Sequence, residues 1–348
     1  MLSEDLNTDL PKTIASISSF FSNGKICIVS NANSYEATMN CDMSTFCHLL
    51  PNNDNVHYWY KFSSEHKSSH LLGILGKARV GDDQIILFSQ PVDQNFEDWT
   101  QHNLLINQDN HLTPSFTALL LDMLKGINYF HSELNHAHGE ICGKNIYVID
   151  GRAKFANVVD INFKKSYIDD INSFCKMVKS PFKAKNIPLP LELKYLLSSL
   201  KKPNGLCNSL NHPVLLNSYG RAMYRHMALK ETRHMKNYGN FNQAMIAAYP
   251  KEKNENRNLN FSWIKKVRDG KESYSSVLYY DPSQKDGQGQ QIKYNNSPEE
   301  FLRFSRNVQL HVDETEEEKD KYLNSIDPHF LGILHDILTS QSIFINLE

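Results

Sequence analysis

A cation, an amide and an imidazole lie close together near the carboxyl end of the chain. Arg306, Asn307 and His311 form the run R-N-x-x-x-H. Four-residue spacing on an α-helix places two side chains on one face, one turn apart. A guanidinium and a carboxamide can hold a phosphate, and an imidazole can transfer a proton near neutral pH. These residues predict a site for phosphodiester chemistry; the alternative interpretation is a surface helix with a lone histidine.

The preceding residues predict the helix that would carry this site. Ser297 and Glu300 form the pattern S-x-x-E, a capping box, and Pro298 suits the first helical position. We therefore predict a helix from about residue 298 to His311. Arg303 lies one turn before Asn307 and continues its row.

Two further patterns predict a helix and strands in the first half of the chain. Residues 114–133 place apolar side chains at helical spacing after Thr113, a good N-cap. Short apolar runs of strand type occur at 26–29, 71–75 and 85–88, and a hairpin is expected over 146–156. From about residue 168 onward the pattern is mainly helical, apart from two polar stretches at 251–258 and 281–290.

The segment His138–Asn145 resembles the protein-kinase catalytic loop, H-R-D-L-x-x-x-N. The helix before it and the hairpin after it follow the kinase order, and Asp170 begins a run that resembles the segment after a kinase activation loop. Asn145 keeps its expected identity. Glu140 replaces the catalytic aspartate, and Asn157 replaces the aspartate of D-F-G.

These replacements predict a degenerate kinase site. Phosphoryl transfer needs an aspartate for the substrate hydroxyl, an aspartate on Mg²⁺ and a lysine on the phosphates. Residues 24–50 contain no V-A-I-K, and the pattern does not assign Lys61 to the third strand. We expect no kinase activity, and the sequence leaves ATP or ADP binding to this lobe open.

A longer pattern surrounds the R-N-x-x-x-H run. The residues from Phe301 to Glu314 read F-L-R-F-x-R-N-x-x-x-H-x-D-E, and Ile326-Asp327-Pro328 follows. This pattern resembles the KEN-type nuclease domain of the RNase L-like family, which includes the unfolded-protein-response sensor kinase–ribonuclease. Asn211–Leu216 resembles the motif that opens that domain. In the family, a kinase-like lobe precedes the nuclease domain and supports dimerisation.

The resemblance implies catalytic roles for four residues. His311 is expected to protonate the leaving 5′-oxygen, and Tyr294 to assist deprotonation of the attacking 2′-hydroxyl. Arg306 and Asn307 are expected to hold the scissile phosphate. Tyr294 has an alternative interpretation as a half-buried tyrosine before a helix.

The same resemblance, with local charge, suggests residues that contact RNA. Trp263 is expected to support the site or stack on a base, and Arg303, Lys265 and Lys266 are expected to bind RNA. The net charge of −2 predicts no nucleic-acid partner, but residues 221–271 contain 12 Lys and Arg against 4 Asp and Glu. That stripe can follow a phosphate backbone or form a solvated basic face.

We therefore predict an α+β chain with two domains. Residues 1–210 are expected to form a bilobal, protein-kinase-like pseudokinase domain with a reduced N-lobe, and residues 211–348 an all-α KEN-type ribonuclease domain. Neither a signal peptide nor a membrane span is visible, so a soluble cytoplasmic protein without a membrane partner is expected.

The predicted function is metal-independent cleavage of single-stranded RNA by 2′-hydroxyl attack, giving 2′,3′-cyclic phosphate and 5′-hydroxyl ends. No cofactor is required for it, and a homodimer through the kinase-like lobes is expected. The alternative is a catalytically silent pseudokinase and pseudonuclease that regulates a related ribonuclease by hetero-dimerisation. An active kinase that tolerates Glu140 and Asn157 is a third hypothesis.

Overall fold

The computed structural model describes residues 26–31, 34–39, 43–80, 82–159, 166–234, 238–249, 261–279 and 293–345. They form a mixed α and β structure with two small sheets, so the predicted α+β character is confirmed. The chain divides into two compact units. The first unit comprises Met1–Asn107 and Ala118–Pro188, and the second comprises Gln108–Thr117 and Leu189–Glu348. The compact units thus divide near residue 188, whereas the predicted domain boundary followed residue 210.

A five-stranded antiparallel sheet lies in the first unit, with strand order β1-β2-β3-β5-β4. Its strands are β1 (Ile26–Asn31), β2 (Ser34–Met39), β3 (Met43–Pro51), β4 (Ile74–Val80) and β5 (Gln84–Ser89). Helix α1 (Asp54–Glu65) lies between β3 and β4 in the chain. Strand β5 is buried from Ile85 to Ser89, which explains its continuous apolar run. Lys61 lies on α1, 3.9 Å from Glu65, and not on the third strand.

The rest of the first unit follows the predicted pattern closely. It contains β6 (Gln94–Asn95), α2 (Phe96–His102), β7 (Ile146–Ile149), β8 (Arg152–Phe155) and α4 (Tyr167–Ala184), and most of α3 (Pro114–Asn128). The predicted helix over 114–133 is confirmed, although its last five residues form a π-type turn. The predicted hairpin is also confirmed. Asp150 and Gly151 at its tip have φ values of 50° and 73°, which a tight hairpin turn requires. The predicted run 71–75 becomes strand only from Ile74, and Leu71 makes an isolated bridge to Phe155.

In the second unit, the named elements among the residues that the structure describes are all helices. Its helices after residue 188 are α5 (Leu191–Ser199), α6 (Gly205–Ser209), α7 (Ser218–His234), α8 (Tyr238–Ala248), α9 (Trp263–Arg268), α10 (Glu272–Leu278), α11 (Pro298–His311), α12 (Glu316–Ile326) and α13 (Phe330–Ser340). Helix α11 packs against α7, and an aromatic core including Trp263, Phe301 and Phe330 joins α9, α11 and α13. This core fixes α11, the helix predicted to carry the site. The polar stretches 251–258 and 281–290 lie outside the described residues.

A helix that crosses a membrane needs about 20 mostly apolar residues. None of the helices in the described part of the chain is both long enough and apolar enough to cross a membrane.

Candidate functional site

Helix α11 begins where the sequence predicts, but only half of the capping box forms. The Ser297 hydroxyl accepts a hydrogen bond from the Glu300 backbone N–H at 3.3 Å, and Pro298 occupies the first turn. The Glu300 carboxylate instead accepts two bonds from the Arg303 guanidinium, at 3.1 and 3.2 Å. A charged donor one turn away competes successfully with the N-cap backbone amide. The predicted reciprocal bond is therefore replaced by an ion pair on the same helix.

The structure brings Tyr294 onto the row of side chains along α11. The Asn307 amide Nδ2 donates to the Tyr294 hydroxyl at 2.6 Å. The Arg303 guanidinium lies 5.2 Å from the centroid of the Tyr294 ring. Asn307 is buried, with 7% of its surface exposed, so this bond is well shielded from water. A tyrosine thirteen positions upstream is thus fixed against the predicted amide.

Arg306 and His311 occupy the more open part of the same helix. Arg306 is half-buried, and His311 is exposed at the last helical residue. Because His311 lies four residues after Asn307, the two side chains project from the same face. The row therefore presents a phenol, an amide and an imidazole, with a guanidinium at the adjacent position. That set can bind an anion and transfer a proton.

Burial has the largest effect on the titration of the Tyr294 hydroxyl. It raises the pKa of the Tyr294 hydroxyl, whereas the Asn307 hydrogen bond and the nearby Arg303 charge lower it by less. A phenol is protonated near neutral pH at its ordinary pKa, and the raised pKa favours that form further. Its oxygen accepts from Asn307, and its own hydrogen remains available for donation. This arrangement suits a hydrogen-bond donor to a bound oxygen better than a base, because a base here would have to be the phenolate.

Trp263 supports Tyr294 from inside the core. Its side chain is only 1% exposed, and its ring meets the Tyr294 ring edge-on with centroids 5.7 Å apart. The Phe304 ring lies 4.9 Å from the same indole. A base could stack on this indole only after the packing around it opened. Of the two predicted roles, the supporting one is the role this geometry allows.

The predicted basic stripe is divided between the surface and the interior. Arg221 and Arg225 are 7% and 2% exposed. Arg221 donates two bonds of 2.9 Å to Glu192, and Arg225 lies 2.7 Å from Asp320. These two arginines balance buried carboxylates, so they cannot follow a phosphate backbone as the sequence suggested.

The two lysines that were predicted to bind RNA are exposed. Lys265 and Lys266 both lie on the surface of α9, although the Lys266 ammonium donates to the Ile326 carbonyl at 2.7 Å. Lys230, Arg233 and Arg268 are also exposed. The positive surface of the described residues in this region is therefore smaller than the residue count implies.

In the first unit, one buried carboxylate organises the loop that begins at His138. Asp170 accepts bonds from the backbone N–H groups of His138 at 2.7 Å and Gly139 at 3.0 Å. It also accepts from the His131 imidazole at 2.9 Å. Gly139 has a φ of 84°, a left-handed conformation that favours glycine. The loop is thus held by main-chain contacts that do not depend on Glu140, which is exposed.

The two asparagines predicted at the degenerate kinase site bind each other. The Asn157 amide donates to the Asn145 side-chain oxygen at 2.7 Å, and the Asn145 amide donates to the Glu140 carbonyl at 3.0 Å. Both side chains are neutral, so the pair carries none of the charge with which carboxylates hold Mg²⁺. Among the described residues, no group of three or more His, Cys, Asp or Glu side chains is arranged to hold a metal ion.

A second polar contact in this unit joins residues that no sequence pattern singles out. His48, on the central strand β3, is hydrogen-bonded to Ser89 at 2.9 Å and to the Tyr147 hydroxyl at 3.3 Å. Burial lowers the pKa of His48 to about 4 and raises the pKa of Tyr147 to about 12. Both groups are therefore neutral at physiological pH. No local pattern predicts this contact, because Tyr147 lies 99 positions after His48.

Comparison with known proteins adds no assignment. No protein-family model matches the chain, and no curated protein matches it significantly.

Proposed function

We propose that the chain is a metal-independent endoribonuclease that cleaves single-stranded RNA at a site on α11 and Tyr294. The observation that carries the proposal is the bond between Asn307 and Tyr294 on the helix that also presents Arg306 and His311. Asn307 and His311 share one face of that helix, and Arg306 lies at the adjacent position. The substrate class follows from the family resemblance, and single strands expose the bases and sugars that paired RNA hides.

The proposed reaction is an internal transfer at phosphorus. The ribose 2′-oxygen attacks the adjacent phosphorus, forming a P–O2′ bond, and the P–O5′ bond breaks. His311 donates a proton to the departing 5′-oxygen, and water takes the proton of the 2′-hydroxyl. The products are a 2′,3′-cyclic phosphate and a 5′-hydroxyl end.

The remaining groups have binding roles in this proposal. Arg306 neutralises the charge that develops on the phosphate. Tyr294 donates its hydrogen bond to the 2′-oxygen or to a phosphate oxygen, in keeping with its raised pKa. Asn307 was expected to hold the phosphate with Arg306; because its amide is buried and donates to Tyr294 at 2.6 Å, its role in this proposal is to orient Tyr294. Arg303 and Lys265 contribute positive potential for the RNA strand.

For the first unit we propose a kinase-like lobe that does not transfer phosphate and that supports dimerisation. The strand order β1-β2-β3-β5-β4, with α1 inserted after β3, supports the fold. The contacts of Asp170 with the loop at His138 support it as well. The neutral asparagine pair and the helical position of Lys61 support the loss of activity. Incubation with labelled ATP and Mg²⁺ or Mn²⁺ should therefore give no transfer to protein or peptide.

Cleavage of a fluorescent single-stranded RNA in EDTA tests the ribonuclease. The wild type should cut it and leave cyclic phosphate ends, and His311→Ala should lose at least about a hundredfold in rate, the scale expected for a general acid. His226→Ala is the matched control, because His226 is an exposed histidine of α7 in the same unit. Equal cleavage by His311→Ala and wild type would refute the site. A wild type that cuts nothing alone, but alters the activity of a related ribonuclease on mixing, would favour the regulatory alternative.

A further inference from the structure

The loop after His311 is tied to another helix by one carboxylate. Glu314 lies three residues after His311, between α11 and α12. Its Oε1 accepts from the Lys271 ammonium at 2.5 Å and from the Ser273 hydroxyl at 3.0 Å. Its Oε2 accepts from the Tyr274 hydroxyl at 2.6 Å. Three donors at the start of α10 therefore converge on a single side chain.

We call Glu314 and its three donors, Lys271, Ser273 and Tyr274, the brace. One of these donors, Tyr274, is itself held in place by packing. The Tyr274 side chain is 1% exposed, and its ring stacks on the Tyr322 ring of α12 with centroids 3.6 Å apart and planes at 16°. Helix α10 packs against both α9 and α11. The brace therefore connects the loop to α10. Helix α10 in turn contacts α11, and it contacts α12 through the stack of Tyr274 on Tyr322.

His311 lies at the end of its helix, next to the loop that carries Glu314. The last four carbonyls of an α-helix lack partners within the helix, so terminal residues fray. His311 is the final residue of α11, and its side chain is exposed. Only Val312, whose N–H donates to Val308 at 3.1 Å, separates it from the acidic loop. Glu314 restrains that loop three residues after His311.

Three of the neighbouring acids, Glu316, Glu318 and Asp320, have partners of their own outside α10. The Glu318 carboxylate caps α12 by accepting from the Thr315 N–H at 2.9 Å. Glu316 lies 3.4 Å from Lys319, and Asp320 pairs with Arg225 in the interior. In the described loop, Glu314 is the acid that reaches across to α10.

We infer that Glu314 is a positioning residue, which holds the end of α11 through Lys271, Ser273 and Tyr274 and thereby places the His311 imidazole for proton donation. The inference rests on the proposed ribonuclease function for its catalytic consequence. Its structural content, a restrained helix end, stands apart from that function. A displacement of about 1 Å in a catalytic group can cost on the order of a hundredfold in rate.

Two substitutions at Glu314 separate position from charge. Glu314→Ala removes every contact of the brace, and we expect kcat to fall about tenfold with KM changed by less than about twofold, because a misplaced acid impairs the chemical step rather than binding. Glu314→Gln keeps an oxygen for Lys271 and Ser273 and an amide beside the Tyr274 hydroxyl. It should restore most of kcat. If Glu314→Gln is as slow as Glu314→Ala, the effect comes from charge and the positioning role is refuted.

Glu317→Ala is the matched control. It removes the same charge three positions later, from an exposed side chain of α12. Its kcat and KM should equal those of the wild type. A loss of kcat in this variant equal to that of Glu314→Ala would assign the effect to general charge and overturn the inference.

Hydrogen exchange tests the brace without any activity. Backbone amides 309–312 should exchange faster in Glu314→Ala than in wild type, Glu314→Gln or Glu317→Ala. Unchanged exchange at these amides overturns the inference, whereas a wild type that cuts no RNA overturns only the proposed function. If Glu314→Ala does not fold, Lys271→Met is used. Lys271→Met should speed hydrogen exchange at amides 309–312 and lower kcat. If both stay at their wild-type values, the inference is overturned.

Discussion

At the scale of single residues, the site depends on how the core holds Tyr294. Its hydroxyl is bonded to a buried amide and its ring rests on a buried indole. The sequence predicted the R-N-x-x-x-H residues because they share one helix period. It left the role of Tyr294 open, since thirteen residues and no regular pattern separate Tyr294 from Asn307.

Tyr294→Phe tests the hydrogen bond without emptying the core. The ring stays on Trp263, but the Asn307 amide loses its acceptor and the substrate loses a donor. We expect kcat/KM for RNA to fall roughly ten- to a hundredfold and the free energy of unfolding to fall by about 1 kcal/mol. Steady-state kinetics and urea denaturation measure the two effects. Tyr279→Phe, at an exposed tyrosine of the same unit, should change neither, and a fully active Tyr294→Phe would contradict the assigned role.

Substitution of Trp263 distinguishes support from base stacking. Trp263→Ala should lower the free energy of unfolding of the second unit by roughly 3–5 kcal/mol, because it opens a cavity beneath Tyr294. Trp263→Phe should retain most of that stability and leave KM for RNA unchanged. Thermal denaturation and KM measurements test this prediction. A large rise in KM for Trp263→Phe, with stability preserved, would instead indicate that a base contacts the indole.

At the scale of helices and strands, local sequence patterns predicted the elements, whereas contacts between residues distant in the chain were not predicted. Helix α3, the hairpin at Asp150 and the start of α11 follow from periodicity, turn residues and an N-cap. The burial of Arg221 could not be predicted from such patterns, because its partner Glu192 lies 29 positions away on another helix. A count of basic residues therefore overestimated the positive surface, since periodicity records which residues share a face but not which charges meet.

The N-cap of α11 gives a prediction at this scale. Ser297→Ala removes the acceptor for the Glu300 N–H and should reduce the free energy of unfolding of the second unit by about 1 kcal/mol. Ser325→Ala is the control, because the exposed Ser325 hydroxyl bonds only to a carbonyl of its own helix among the described contacts. Chemical denaturation compares the two variants. An equal effect of both substitutions would show that the cap adds nothing specific.

At the scale of the whole molecule, each unit contains a buried neutral histidine. Burial lowers the pKa of His48 in the first unit and of His335 in the second to about 4. His335 is hydrogen-bonded to the Tyr224 hydroxyl at 3.0 Å, and its ring lies 4.5 Å from that of His212, whose pKa burial also lowers. Between pH 6.5 and 4 the unfolded chain therefore binds more protons than the folded chain.

Stability should consequently fall as the pH falls through this window and stay nearly constant above it. From pH 7 to pH 5 each histidine should reduce the free energy of unfolding by about 2 kcal/mol. The variants His48→Gln and His335→Gln should each flatten the pH dependence of urea denaturation, whatever they do to stability at pH 7. Glu192, whose pKa is about 2, does not titrate in this range. A slope unchanged in both variants would contradict the prediction.

The asparagine pair in the first unit has a consequence for how the protein responds to its surroundings. Clusters of carboxylates repel one another and loosen when their cation leaves, so their shape follows the supply of divalent ions. Asn145 and Asn157 satisfy each other through a 2.7 Å bond that involves no titratable group. This loop should therefore keep its shape whether magnesium is scarce or plentiful.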